Sequence, residues 1–191
     1  MRFVRNHAQG ILACDLFVTV KASFRALNVF VIMEVGTRRI APFNVTAHPT
    51  ASWMVQPFRE VITGEKPYRF LLHDRDRIYS SEVDSALKAM GLTILKTPFR
   101  APQVNAFCQR LVGSIRREGL DFLIPLNGRH LRRILKKWVI HYNKGRPHSS
   151  LGPGIPEPSG GITGTRKPRP PSPLLSPSRC KYRPRWPASR I

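Results

Sequence analysis

The order of apolar segments constrains the fold of this chain more than any other feature. Three stretches rich in β-branched and aromatic residues come first and are separated by polar turns, at residues 11–20, 27–35 and 39–46. Strands and helical segments then alternate, at residues 50–62, 68–73, 80–91, 92–96, 105–121 and 129–143. The predicted order is βββαβαβαα, which indicates an α/β protein with a five-stranded mixed sheet flanked by helices.

The charge of the chain indicates a polyanionic partner. Its 191 residues contain 32 Lys or Arg and 11 Asp or Glu, a formal net charge of +21. Such an excess is typical of proteins that bind nucleic acid. Since 41% of the residues are hydrophobic, the chain can still build a core, which excludes a wholly disordered protein.

The composition changes abruptly after Glu157, which predicts a domain boundary there. Residues 158–191 contain eight Lys or Arg, no acid and eight of the 18 prolines, so they can form neither a helix nor a sheet ladder. We expect one domain over residues 1–157 and a disordered, Pro- and Arg-rich basic tail over 158–191. The tail is either a nucleic-acid-binding arm or a frameshifted extension without a selected function.

Several other protein classes are excluded by the sequence. Cys14, Cys108 and Cys180 are odd in number and far apart, so they form neither a disulfide framework nor a zinc-binding CxxC pair. No stretch approaches the roughly 20 apolar residues of a membrane span, and the first residues are polar where a signal peptide is apolar. We expect a cytoplasmic protein in a reducing compartment with no membrane partner.

Scarce carboxylates stand where they are costly unless they bind something. Asp15 lies inside an apolar strand, and Asp74 and Asp76 close the fourth strand with a spacing that puts both on one face. If the first and fourth strands are neighbours, Asp15 and Asp74 converge at one edge and suit Mg²⁺ or Mn²⁺. The alternative for Asp15 is a strand-end carboxylate paired with an arginine.

Several stretches of residues 1–157 together carry a specific resemblance. They are ACDLF at 13–17, HDRDRIY at 73–79, TPFRAP at 97–102, the segment 105–121, and YNKGRPHSSL at 142–151. In these stretches and in its order of elements the chain resembles the integrase catalytic core of the DDE transposases, the enzymes of bacterial insertion sequences and retroviral integrases. The resemblance implies a ribonuclease H-like fold, DNA as substrate, and Mg²⁺- or Mn²⁺-dependent strand cleavage and strand transfer.

The resemblance also places the three acids of the family on this sequence. The first falls on Asp15 and the second on Asp74, which would hold the metal, whereas the third position, normally Glu, is occupied by Gln109. The spacing of 34 intervening residues between Asp74 and Gln109 is usual for the family. An amide keeps an oxygen but loses the negative charge that a hard dication needs, so we predict a crippled or inactive site.

Neighbouring residues offer little compensation for Gln109. Glu118 lies nine residues further on the same predicted helix, on its opposite face and more than about 13 Å away by helix rise. Asp76 could add a charge, but its stretch already carries Asp74. His148 is expected to position the C-terminal segment and not to act as a base.

Basic residues on the last two helices predict contacts with DNA phosphates. Arg116 lies seven residues after Gln109 and so on the same helix face. The alternative interpretation is a solvated helix face, which the shortage of nearby acids argues against. The candidate DNA-binding residues are Arg110, Arg116, Arg117, Arg132, Arg133, Lys136 and Lys137.

The sequence therefore predicts a transposase or integrase core that binds the ends of a mobile element and its target DNA, and whose catalysis is impaired. Because the first core strand comes almost at the start, we expect a truncated relative without the helix-turn-helix reader of the family. A homo-oligomer and association with the nucleoid are further expectations. The alternative function is a non-enzymatic basic protein that binds DNA or RNA.

Overall fold

The computed structural model of the chain describes residue 4 and residues 6–62, 68–76, 78–96, 106–148, 151 and 154–157. These residues all belong to one compact unit, Met1–Ser159. The stretch at 97–102, Asn105 and the basic tail at 158–191 lie outside the described residues. What the sequence predicts for those segments stays a prediction.

The described strands form one mixed sheet of five. They are β1 (Ile11–Val20), β2 (Ala26–Glu34), β3 (Asn44–Thr46), β4 (Phe70–His73) and β5 (Thr93–Lys96). Their order across the sheet is β3-β2-β1-β4-β5. The first three strands pair antiparallel, whereas β4 lies parallel to both β1 and β5. The predicted adjacency of the first and fourth strands is therefore confirmed.

Within the described residues, four helices flank the sheet, and polar side chains cap three of them. They are α1 (Ala51–Val61), α2 (Ser81–Ala89), α3 (Ala106–Ile115) and α4 (Gly128–Gly145). Side-chain oxygens of Thr50, Ser80 and Asn127 accept a backbone N–H in the first turn of α1, α2 and α4, which satisfies donors that a helix start leaves unpaired. None of the helices in the described ranges is long and apolar enough to cross a membrane.

Two hydrophobic cores lie on the two sides of the sheet. Because side chains alternate along a strand, Ala13 and Phe17 of β1 pack with α3 and α4, whereas Leu12 and Cys14 pack with α1 and α2. Strands β1 and β2 are therefore covered on both sides, as their continuous apolar sequences require. Asp15 belongs by this alternation to the side that α3 and α4 cover.

The structure departs from the predicted elements at two places. The strand expected over 39–46 keeps only a single bridge at Ile40 before β3 begins at Asn44, since Pro42 between them has no N–H for a ladder. The long helix expected to run to residue 121 ends as α3 at Ile115 and continues as a π-helical turn, Arg116–Leu120.

Candidate active site

The strand pairing brings Asp15 and Asp74 to the same edge of the sheet. The parallel ladder of β1 and β4 sets Ala13 beside Leu72, and β4 ends at His73, so Asp74 follows the end of β4 near the level of Asp15. Asp15 is half-buried, as is Asp74, while Asp76 is exposed. The convergence of these two carboxylates, which the sequence predicts, follows from the topology.

Asp15 lacks a positively charged partner among the described residues. Its Oδ1 accepts a hydrogen bond from the backbone N–H of Leu16 at 2.8 Å, and no arginine or lysine pairs with it. Burial raises the pKa of Asp15 to about 6, the Leu16 N–H opposes that rise, and the negative charges of Asp74 and Asp76 add to it. The alternative of an Asp15–arginine pair finds no support in the structure.

Two adjacent carboxylates fit the requirements of Mg²⁺ or Mn²⁺. Such an ion commonly takes one or two protein carboxylates and completes its shell with waters and substrate phosphate oxygens. A dication would also offset the repulsion that raises the pKa of Asp15. Within the described ranges, however, no group of three His, Cys, Asp or Glu side chains is placed to hold a metal ion.

Gln109 lies on α3 next to a residue that packs close to Asp15. Its neighbour Cys108 is fully buried against β1, where burial raises the pKa of the thiol and the charges of Cys14 and Asp15 raise it further. The Gln109 side chain is exposed and makes no hydrogen bond with Asp15 or Asp74 among the described residues. The structure thus places α3 beside the carboxylates without joining its amide to them.

A buried histidine supports the backbone of Asp74, and sequence reasoning missed it. His73 is fully buried, its Nδ1–H donates to the Asp74 carbonyl oxygen at 2.6 Å, and its ring stacks on Tyr79 with centroids 4.3 Å apart. Its Nε2 lies 3.2 Å from Asp84 Oδ1, and the other oxygen of Asp84 is 2.5 Å from Lys96 Nζ. The signal available in the sequence was a histidine directly before Asp74.

An open pocket lies on the outer side of Asp74. It has a volume of about 310 Å³, and its lining residues are His73, Asp74, Arg75, Asp76, Tyr79 and Lys96. Acidic and basic side chains therefore face the same space. Such a mixed lining suits a phosphate group together with a divalent ion.

The candidate DNA-binding residues fall into two groups. Arg116 and Arg132 are held by the sheet, since Arg116 Nη2 donates to the Val18 carbonyl oxygen at 3.2 Å and Arg132 Nη2 to that of Val45 at 2.5 Å. The remaining ones have exposed side chains on α3, the π-helical turn and α4, and are Arg110, Arg117, Arg133, Lys136 and Lys137. The solvent side of α4 also carries Arg129 and Lys144, which sequence reasoning did not include.

The described part of the YNKGRPHSSL stretch ties the end of the domain to the chain after β2 and to the π-helical turn. Asn143 Oδ1 accepts the Ile40 N–H at 2.9 Å, and its Nδ2 donates to the Ile40 carbonyl at 3.0 Å. Arg146 binds both carboxylate oxygens of Glu118, with Nη2 2.7 Å from Oε1 and Nη1 2.8 Å from Oε2. His148 meets the ring of Tyr142 edge-on. Glu118 is thus committed to Arg146, which supports the expectation that it does not replace the missing acid.

Comparison with known families and structures gives a consistent result. Residues 90–156, which include Gln109, match the integrase core domain family. No curated protein matches the sequence. A chain of the simian T-cell lymphotropic virus intasome aligns at 11% identity with a TM-score of 0.61, over 73% of this chain and 50% of that one. This chain thus spans half the length of that relative.

Isolated catalytic domains align over most of their length. The catalytic core of BIV integrase is 14% identical with a TM-score of 0.55, over 78% of this chain and 91% of that one. The HTLV-2 integrase core in complex with magnesium is 12% identical with a TM-score of 0.59, over 78% of this chain and 94% of that one. The Mos1 transposase catalytic domain is 12% identical with a TM-score of 0.61, over 73% of this chain and 75% of that one. At such identities these likenesses establish the fold, and the predicted fold class is confirmed.

Proposed function

We propose, from the premise that this chain carries the integrase-type core of retroviral integrases and DDE transposases, that it binds DNA and that Asp15 and Asp74 hold a divalent metal ion. In this proposal the core descends from enzymes of DNA integration and transposition, and this copy has impaired catalysis. One observation carries the proposal. Asp15 is a half-buried carboxylate without a cationic partner among the described residues, on the strand that pairs with the one leading to Asp74.

The roles of the residues follow from their places in the fold. When bound, the metal ion would polarise a phosphodiester and activate the attacking water or hydroxyl. Asp15 and Asp74 would supply its anionic ligands, and His73 would fix the backbone of Asp74 through the bond to its carbonyl. Gln109 would offer a neutral oxygen at most, so the site would carry one negative charge fewer than a site with three acids.

Loss of that charge explains why we expect impaired catalysis. Metal-ion stabilisation of a transition state is worth several kcal/mol, and about 1.4 kcal/mol corresponds to a tenfold change in rate. A weakened metal site would therefore cost orders of magnitude in rate. DNA binding would persist, because it rests on the exposed basic side chains of α4 rather than on the carboxylates.

Thermal denaturation with and without Mn²⁺ tests the metal site directly. Since a ligand that binds only the folded state raises the melting temperature, Mn²⁺ should raise the Tm of Gln109→Glu more than that of the natural chain. It should raise the Tm of Asp15→Asn least. Equal Tm shifts in all three proteins would contradict a metal site that includes positions 15 and 109. Ca²⁺-free buffer with EDTA gives the baseline for each protein.

Two further expectations belong to this proposal. The HTLV-2 core is described in dimeric and trimeric forms, and this chain exposes an apolar patch on which copies could associate. The patch joins the β1–β2 turn to the loop before α4, and its members Phe24, Phe122, Ile124 and Leu126 are between 64% and 94% exposed. Association with the cytoplasmic nucleoid would follow from DNA binding.

A second function, general binding of RNA or DNA without enzymatic ancestry in the site, is favoured by the charge alone. The net charge of +21 attracts any polyanion. It gives no reason for a carboxylate to lie half-buried within an apolar strand without a counter-charge. The position of Asp15 therefore favours the integrase-type function over general binding.

A further inference from the structure

A second polar cavity lies on the α3 and α4 side of the sheet, apart from the pocket that Asp74 lines. Its volume is about 210 Å³. It opens between the turn after β2, one side of α3 and the end of α4, and its polar lining residues are Arg38, Arg110, Ser114, Arg146 and His148. No Asp or Glu of the described ranges lines it, so the cavity is strongly positive.

The charges of two arginines in this cavity are not neutralised. Arg146 is already paired with Glu118 through both of its terminal nitrogens. Arg38 and Arg110 have no carboxylate partner among the described residues, and the Arg38 guanidinium lies 4.0 Å from the centroid of the Phe107 ring. Burial lowers the pKa of Arg38, and the nearby charge of Arg110 lowers it further. Two neighbouring cations, one of them half-buried, are costly without an anion between them.

Two more features of the cavity provide donors for an anion. The Nε2 atom of His148 is buried and has no hydrogen-bond partner within the described part of the chain. Burial, with the charges of Arg146 and Arg38, lowers the pKa of His148, so at neutral pH the ring can offer one neutral N–H. Ser114 adds a hydroxyl. Guanidinium forks, an imidazole N–H and a hydroxyl together match the oxygens of a phosphate group.

The backbone of Arg38 has a rare conformation that sets the direction of its side chain. Arg38 has a φ of +64°, in the left-handed region that residues with a side chain rarely occupy. Glycine or asparagine would normally serve in such a turn. A long cationic side chain at this position directs a charge toward α3 at a cost in backbone energy.

We infer that this cavity binds one phosphate group between Arg38 and Arg110, with His148 Nε2 as a further donor. The inference rests on the proposed function for the source of that phosphate, which would be a backbone phosphodiester of bound DNA. Arg110 directly follows Gln109 on α3, so the cavity shares that helix with the position of the third acid.

The test uses inorganic phosphate as the probe, the full 191-residue chain, and chloride at matched ionic strength as reference. Phosphate should raise the Tm of the natural chain, because it binds only the folded cavity. Arg38→Gln and Arg110→Gln should each weaken the apparent phosphate affinity about tenfold. Arg38→Lys, which keeps the charge without the fork, should fall between them and the natural chain. The matched control is Arg59→Gln, the same charge change on an exposed residue of α1 across the sheet.

A phosphate-dependent Tm shift that is absent, or equal in all these proteins, would overturn the inference. A second arm measures a labelled DNA duplex, for which Arg38→Gln should lower the salt slope of binding by about one. If phosphate binds through both arginines but DNA does not bind, the phosphate site in the cavity is supported and the proposed function is contradicted. If DNA binds with an unchanged slope and phosphate has no effect, the proposed function stands and the cavity assignment fails.

Discussion

At the scale of single residues, Asp15 is a half-buried carboxylate in an otherwise apolar strand, and it has no cationic partner among the described residues. A carboxylate inside an apolar strand predicts a functional site, and the pairing of β1 with β4 confirms that the two strands that lead to Asp15 and Asp74 are neighbours. The support from His73 could not be predicted, because its partners Asp84 and Tyr79 come together only in the folded chain. The role of Asn143 was missed for the same reason, since Ile40 lies 103 residues away in sequence.

Asp15 should make the stability of the folded chain depend on pH. Its folded pKa of about 6 lies above the ordinary value of 3.8, so its contribution is intact below pH 3.8 and is lost as the pH rises through 6. Without divalent ions, Asp15→Asn should match the natural chain near pH 4 and exceed its free energy of unfolding at neutral pH by about 2 to 3 kcal/mol. Urea denaturation at both pH values in EDTA measures this difference.

The matched control for that measurement is Asp121→Asn, which removes the same charge from an exposed site. This substitution should change the free energy of unfolding little at either pH. If Asp121→Asn raises the free energy of unfolding at neutral pH as much as Asp15→Asn does, the net charge of the chain, rather than the burial of Asp15, is responsible.

At the scale of elements, local patterns determined the order of strands and helices but not all of their ends. Thr50 and Ser80 cap α1 and α2 through bonds to residues three positions further on, which is a local pattern. The π-helical turn after α3 packs Gly119 close to the Trp138 ring, a contact between residues far apart in the sequence that local patterns do not reveal. The early break before β3 follows from Pro42, which the β-branched pattern around it concealed.

The attachment of α4 to the sheet should depend on the amide of Asn143. Both of its bonds to Ile40 are buried, so Asn143→Ala would leave a backbone N–H and a carbonyl without partners. We expect this substitution to lower the free energy of unfolding by about 2 to 4 kcal/mol. Asn28→Ala removes only an exposed 3.4 Å bond to Ala47 and should cost far less. Equal losses in denaturant titrations would contradict the assignment.

At the scale of the whole molecule, the charge predicted a polyanion and the fold restricts where it can bind. Helix α4 contains no acid, and its solvent side carries Arg129, Arg133, Lys136, Lys137 and Lys144. The sequence identified this cluster in part because helical periodicity separates its basic side from the apolar residues facing the core. It could not show that Arg116 and Arg132 are engaged with strand carbonyls, since these contacts cross the fold.

Binding of duplex DNA through α4 should depend steeply on salt. Each phosphate contact contributes about 0.9 to the slope of log K against log salt, so Lys136→Ser with Lys137→Ser should lower that slope by about two. Arg59→Gln with Lys88→Gln removes two exposed charges from α1 and α2, across the sheet, and should leave it unchanged. Fluorescence anisotropy measures both. Equal effects of the two double variants would indicate general attraction by net charge.

The disabling of a DDE site by Gln109 is tested most directly by Mn²⁺-dependent nicking and strand transfer on labelled DNA. The proteins to compare are the natural chain, Gln109→Glu, and Gln109→Glu combined with Asp74→Asn. We expect activity in Gln109→Glu alone, because only that protein has all three acids. Activity in the natural chain, or none in Gln109→Glu, would contradict a site that Gln109 disables.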